Sequence, residues 1–330
     1  MRLVHLAASR LAAALLAAAI TASAQAPLAQ ANAALQAGEA DRALALLSNI
    51  APTAADQAEA HNLQCRVRLT LEQWEAAAEQ CQQAVQLDGQ NSGYHLWLGH
   101  ALGQKASRAS FLSAYALARR TRAEFEESVR LNPRNAEALS DLGEFYEQAP
   151  GVVGGGMDKA AGIAAQLDKL DPARAHELRG RIAEQQKDFV TAEKEFKLAL
   201  AAGAHPANQW VTLASFYRRR HQWTEMEKAL HNGLNAAERD KHAGAALFDG
   251  ASVLISANRD PALAAKMLEE YLASPGKTED APAFVAHSRL AHLEDQLGDP
   301  AAASRERAAA LDMAHDYNPA EDARPKRASN

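Results

Sequence analysis

Apolar and small side chains recur along this chain at steps of three and four residues. Leu139, Leu142, Gly143 and Tyr146 form one such row, and Trp210, Leu213, Ala214 and Tyr217 another. Positions three and four apart share one face of a helix, so each row reads as the buried stripe of an amphipathic helix. No convincing period-2 alternation of β-branched residues interrupts the pattern, and an all-helical chain is the simplest reading. The stripes themselves repeat. Residues 38–50 (GEADRALALLSNI) align with 72–84 (EQWEAAAEQCQQA), which sets Ala43 and Ala77 34 residues apart, and the same interval separates Ala192 from Met226. Two antiparallel helices fill 34 residues. The repeat marks out about eight units, roughly 25–57, 58–91, 92–135, 136–174, 175–206, 207–243, 244–280 and 281–317.

Within a unit the residue types follow packing needs. Gly99, Gly143 and Ala214 leave room for a paired helix to approach, with Leu and aromatic residues filling the space on either side. Phe125, Leu131 and Pro133, and Ala160, Ala164 and Pro172, read as second helices closed by a proline. This pattern of large, Leu, small and aromatic positions, followed by small, large, small and Pro, resembles the tetratricopeptide repeat over about 290 residues. The resemblance implies a right-handed superhelical solenoid of about eight TPR-like helical hairpins. It also implies a concave groove lined by the first helices and a role as scaffold, adaptor or assembly factor. It is specific for the fold and nearly silent about the partner.

Two units are expanded, at about 92–135 and 136–174. The first carries about ten extra residues between Gly99 and Phe125. Phe111, Tyr115, Ala118, Arg122, Phe125 and Val129 still step by four and three, which predicts a lengthened second helix with one continuous face. The second carries about five extra residues, in APGVVGGGMDKA.

The ends do not share the repeat. Arg2 and Arg10 flank a start that leads into an uninterrupted apolar run, Leu11–Ile20, and Ala22-Ser23-Ala24 follows as a small-x-small site. This is a signal-peptide pattern, so residues 1–24 are expected to be cleaved and 25–317 to form the mature solenoid. The apolar run is too short to cross a bilayer as a mature helix. No second stretch is long and apolar enough, so no integral membrane segment is expected after cleavage, and the destination is the periplasm or the exterior. The polar tail, 318–330, is expected to be disordered. Formal charge is −6, and removing the leader with its two arginines takes it to −8, which argues against a nucleic-acid partner. Cys65 and Cys81 are the two cysteines. They fall on the two helices of one hairpin, where either a disulfide or two buried thiols would fit an oxidising compartment.

Nothing nominates chemistry. Gly151 and Gly156 have the spacing of a phosphate loop, but Met157 and Asp158 stand where Lys and Ser/Thr are needed, and a helix precedes where a strand is required. A milder reading keeps Gly154, Gly155, Gly156 and Asp158 as a loop site. There a helix capped by Asp158 would offer N–H groups to a ligand, beside the alternative of a tight inter-helix loop. Inserts of this kind also resemble those of some periplasmic tetratricopeptide proteins tied to solute transport. His95/His100 and His287/His292 are five apart, too far round a helix to share a metal, and no metal or cofactor is expected. Arg218-Arg219-Arg220 ends a first helix, where cations complement the helix dipole.

The groove is the remaining candidate. Glu137, Asp141, Glu144 and Gln148 form one stripe, Arg181 lies on the next first helix, and Asn208, Ser215 and Arg219 on the one after. An acidic patch beside a basic one suits an extended peptide. The Lys and Asn set of the family's carboxylate clamp is missing. The expected function is therefore a non-enzymatic exported scaffold binding a protein or peptide in the groove. The alternative is a periplasmic ligand-binding partner of a solute transport system. An open superhelix would favour the first and a closed tunnel the second.

Overall fold

A computed structural model describes residues 26–48, 50 and 54–317. The leader (1–24) and the tail (318–330) lie outside the described residues. Sixteen α-helices pair into eight hairpins among those residues. The first hairpin is α1 (26–37) with α2 (Ala40–Leu47), followed by α3 (Ala54–Thr70) with α4 (Trp74–Leu87) and α5 (Ser92–Arg108) with α6 (Phe111–Leu131). Next come α7 (Ala136–Gln148) with α8 (Met157–Leu167), α9 (Pro172–Gln185) with α10 (Phe189–Ala202) and α11 (Pro206–Arg219) with α12 (Trp223–Ala237). The last two are α13 (Gly244–Ala257) with α14 (Pro261–Ala273) and α15 (Ala283–Leu297) with α16 (Pro300–Met313).

The small positions do what their size allows. A Cβ on Gly99 would stand 2.4 Å from the Phe125 ring of the paired helix, and one on Gly143 2.4 Å from Leu178 of the next unit. Prolines mark starts more often than stops. Pro172, Pro206, Pro261 and Pro300 each open a helix, where the missing N–H costs no helical bond. Pro172 therefore begins α9 rather than closing α8. Most hairpins turn through one left-handed residue: Gly38, Glu72, Lys187, His221 and Gly298 each stand two residues before the second helix.

A second regularity ties first helix to second. His61, His176 and His287 bond through Nδ1 to Gln80, Glu195 and Glu306 at 2.7, 2.7 and 2.6 Å, each 19 residues on. His95 bonds Glu124 at 2.6 Å across 29 residues. The third unit thus keeps the same clasp around its ten-residue insertion. The insertion lies wholly at the turn end of that hairpin. α5 runs nine residues past Gly99, where α7 and α9 run five past Gly143 and Gly180. α6 starts fourteen residues before Phe125, where α10 starts seven before Phe196. Both helices are lengthened, not the second alone. The single packed face expected for α6 also holds only in part. Phe125 is buried, but Phe111 and Tyr115 lie where no neighbouring hairpin reaches and stay exposed.

The row of hairpins closes on itself. The buried side chains of α1 to α3 run into one core with those of α15 and α16. Gly38 lies so close to Ala283 that a Cβ would meet its backbone nitrogen at 2.5 Å. Asp41 accepts from the backbone N–H of His315 at 3.0 Å, and Tyr317 stacks edge-on against Phe284 at 4.8 Å. In the second hairpin a disulfide joins Cys65 and Cys81, with Cα atoms 5.2 Å apart.

The bridge closes a loop of 16 residues, and loops of that size contribute about 3 kcal/mol. Cys81→Ser is expected to lower urea-unfolding stability by about that amount in oxidised protein. Reductant should reproduce the loss in the parent chain and add nothing in the variant. The bond to Glu124, opposed by partial burial, raises the pKa of His95. A raised histidine stabilises fully below its unfolded value, and the gain fades as pH climbs through the folded value. The stability gap between the parent chain and His95→Gln should therefore narrow as pH rises above about 6.5; a gap that widens with rising pH would contradict the clasp.

Candidate functional site

The inner face is built by the first helices and by the segment 274–282 that joins α14 to α15. This segment runs along α1 and α3. Glu279 accepts from Arg66 Nε at 2.8 Å, takes a second bond from Arg66 Nη2, and accepts from the Gln36 amide at 2.8 Å. Its own backbone N–H donates back to Gln36 at 3.2 Å. Arg66 and Glu279 retain only 14% and 10% of side-chain exposure, so this is a largely buried ion pair. Burial works against the Arg66 charge and Glu279 outweighs it, leaving its pKa raised. Arg66 also lies over the Trp97 ring of α5, 5.0 Å from its centroid.

From there a ladder of ion pairs climbs from one first helix to the next. His100 of α5 meets Asp141 of α7 at 2.9 Å, and Glu144 of α7 meets Arg181 of α9 at 2.7 Å. Glu184 of α9 takes both arms of Arg219 of α11 at 2.7 Å. These rungs keep solvent contact, so each adds at most about 1 kcal/mol. Their effect is to set the angle of one hairpin on the next.

Sequence spacing put Glu137, Asp141, Glu144, Arg181, Asn208, Ser215 and Arg219 on one surface. The structure brings most of the charges together but ties them up in ion pairs, one within the set and two with residues outside it. Arg219 and Arg181 are taken by Glu184 and Glu144, and Asp141 by His100. Glu137 has no ion-pair partner among the described residues, and burial with nearby Asp141 and Asp280 holds its carboxyl above the usual range. Burial does the same to Glu147, Glu177 and Asp280. On α11 the uncompensated charge is Arg218, whose pKa is depressed by burial and by Arg219 and whose buried Nε has no hydrogen-bond partner among the described residues. Sequence reasoning chose Arg219 instead. It read Arg218 only as a helix-end cation and His100 only against a metal pair, and it did not name Glu147 or Glu177; all four stand on first helices beside or next to the named residues. It also missed Asp280, because nothing local places the α14–α15 segment on the inner face.

The Gly-rich loop is packed against its own chain. The N–H groups of Gly154, Gly155 and Gly156 donate to Gly151, Pro150 and Tyr146 carbonyls at 2.9, 3.2 and 2.8 Å. Lys159 Nζ donates to the Gly154 carbonyl at 2.8 Å, and Arg122 lies across Gly154, where a Cβ would collide with its guanidinium. The residue before α8 is Gly156, so Asp158 stands in the first turn and does not cap the helix. The N–H groups of the three glycines are thus already bonded within the chain. Two open cavities, of about 670 and 390 Å3, lie beside Asp240 and His242 and beside Glu79 and Lys105.

No sequence-family model matches this chain, and no curated protein does. Solved structures do. TTC0263, a thermophilic TPR protein of Thermus thermophilus, is 20% identical over 58% of this chain and 97% of its own, with a TM-score of 0.48. PilF of Pseudomonas aeruginosa is 16% identical over 66% and 91%, with a TM-score of 0.41. Yeast Tom70 is 14% identical over 78% of this chain and 51% of its own, with a TM-score of 0.50. Identities this low speak to the fold alone.

The buried pair generates a test. Arg66→Met leaves Glu279 buried without its counter-charge, a change that costs about 3 kcal/mol. Urea unfolding should show that loss, with faster amide exchange in 274–282 and 26–48. Arg66→Met with Glu279→Leu should recover most of it.

Proposed function

We propose that this chain, a tetratricopeptide-repeat solenoid, is an exported scaffold that binds a protein segment along its inner face. The supporting observation is the charge left over once the ladder is paired. Glu137, Glu147, Glu177 and Asp280 form no ion pair among the described residues and leave a negative field that nearby Arg181 and Arg174 only partly offset, and Arg218 has no counter-charge on α11. A field of this kind favours an extended segment with basic side chains near α7 and α9 and an acidic group towards α11. Export to the periplasm or beyond is supported by the leader pattern and by the Cys65–Cys81 bridge, since such bridges persist in oxidising compartments. No catalytic constellation enters this reading.

End-to-end closure favours a second reading, a ligand-binding partner of a solute transport system. In that case the ring encloses a small molecule and threads no chain. The N–H groups of Gly154, Gly155 and Gly156 are bonded within the chain and do not support this reading.

A peptide array probed with the purified chain separates the two. Capture should concentrate on segments rich in Lys and Arg and should weaken as salt rises. Glu137→Gln with Glu177→Gln should lower affinity about tenfold, a change of roughly 1.4 kcal/mol. Capture that ignores peptide charge, or that survives the double variant unchanged, would remove the groove reading. A chain that takes no peptide yet is stabilised by a small solute would support the transport reading.

A further inference from the structure

The turn end of the α5–α6 hairpin is unlike the rest of the surface. Phe111 and Leu112, at the start of α6, are 85% and 81% exposed, and Tyr115 one turn later is 37% exposed. Four extra residues on α5 and seven on α6 carry them beyond the neighbouring hairpins, by about 6 to 10 Å at 1.5 Å per helical residue. The charge along this stretch of chain is also reversed, although Glu72 lies beside Arg108 and Glu75 and Glu79 border one cavity with Lys105 and Arg120. Residues 89–123 contain no Asp or Glu, whereas Lys105, Arg108, Arg119, Arg120 and Arg122 fall within them, in a chain of net charge −6.

Not all of these cations are free. Arg108 pairs with Glu72 at 3.2 Å, Arg122 with Glu126 at 3.4 Å, and Arg120 donates to Gln82 at 2.7 Å. Arg119 and Lys105 have no carboxylate partner among the described residues. Phe111, Tyr115 and Arg119 follow each other at steps of four on α6, with the Arg119 guanidinium 5.9 Å from the Tyr115 ring centre. An apolar tip with an aromatic ring behind it and a cation one turn further back matches the layering of a membrane interface: acyl chain, headgroup boundary, phosphate. The projection equals the depth of about 5–10 Å to which interfacial helices sink. No helix among the described residues is long and apolar enough to cross a membrane, so such contact is peripheral.

We propose that the α5–α6 tip docks the solenoid on an anionic lipid surface, with Phe111 and Leu112 inserted and Arg119 and Lys105 at the phosphates. The proposal is independent of what the inner face binds. The test uses the full chain and vesicles of phosphatidylcholine with or without phosphatidylglycerol. A solvent-sensitive fluorophore is attached at Leu112→Cys, or at Val190→Cys as a reference, since Val190 is 82% exposed on another hairpin and the native cysteines are bridged. The probe at 112 should shift to the blue and be quenched by acyl-chain quenchers only with phosphatidylglycerol, while the probe at 190 stays in water. Flotation with these vesicles should fall about tenfold for Phe111→Ser with Leu112→Ser and for Arg119→Glu. These exposed substitutions should leave circular dichroism unchanged. Equal response at 112 and 190, or binding indifferent to phosphatidylglycerol, would overturn the proposal. So would a probe at 112 already shielded without lipid, by self-association in ultracentrifugation or by a co-purified protein.

Discussion

No hairpin in this chain can bury its apolar stripe alone. Each has two faces to cover, one met by the hairpin before and one by the hairpin after; Gly99 and Gly180 let the two helices of a hairpin pair closely, and Gly143 lets the next hairpin approach through Leu178. A linear stack always leaves two uncovered ends, and repeat proteins ordinarily cover them with polar terminal units. Here the ends cover each other. The core of α1 to α3 continues into α15 and α16, and Gly38 lies directly against the Ala283 backbone at the joint.

Closure alters the electrostatics of the inner face. In an open superhelix the first-helix carboxylates would face water on one side. In the closed arrangement the α14–α15 segment brings Glu279 and Asp280 across to α3, α5 and α7. Glu279 is matched by Arg66 and Gln36, whereas Asp280 adds to the field that raises Glu137. The His100–Asp141, Glu144–Arg181 and Glu184–Arg219 rungs neutralise much of what remains and leave a short list of uncompensated groups. A matched pair on a wet surface offers a ligand little, and an unpaired group offers more.

The two expansions have opposite consequences. Five extra residues between α7 and α8 fold back and satisfy their own N–H groups, which locks the α7–α8 turn with Arg122 and Lys159. Ten extra residues between Gly99 and Phe125 remain helical and cannot fold back, so they project. The clasp between His95 and Glu124 shows that the body of that hairpin is undisturbed.

Much of the architecture was legible in the residues alone. The 34-residue interval, the small positions and the step of three and four along each stripe dictate local helices and their pairing, because these depend on contacts within one or two units. The pairing of Cys65 with Cys81 remained open at that level, and the hairpin register then brought them together. What the chain could not reveal locally was every contact that spans the whole stack. Closure depends on small angles between successive hairpins, and these accumulate until α1 meets α15. No residue pattern near Gln36 or Glu279 announces a partner 243 positions away. The fate of Arg218 and Arg219 was hidden for the same reason: adjacent residues on one helix point to different neighbours, and only the placed α9 decides that Arg219 finds Glu184 while Arg218 is left without a counter-charge. Sequence determined the hairpins and their stacking; the sum of their rotations decided the ring and the charges left unpaired within it.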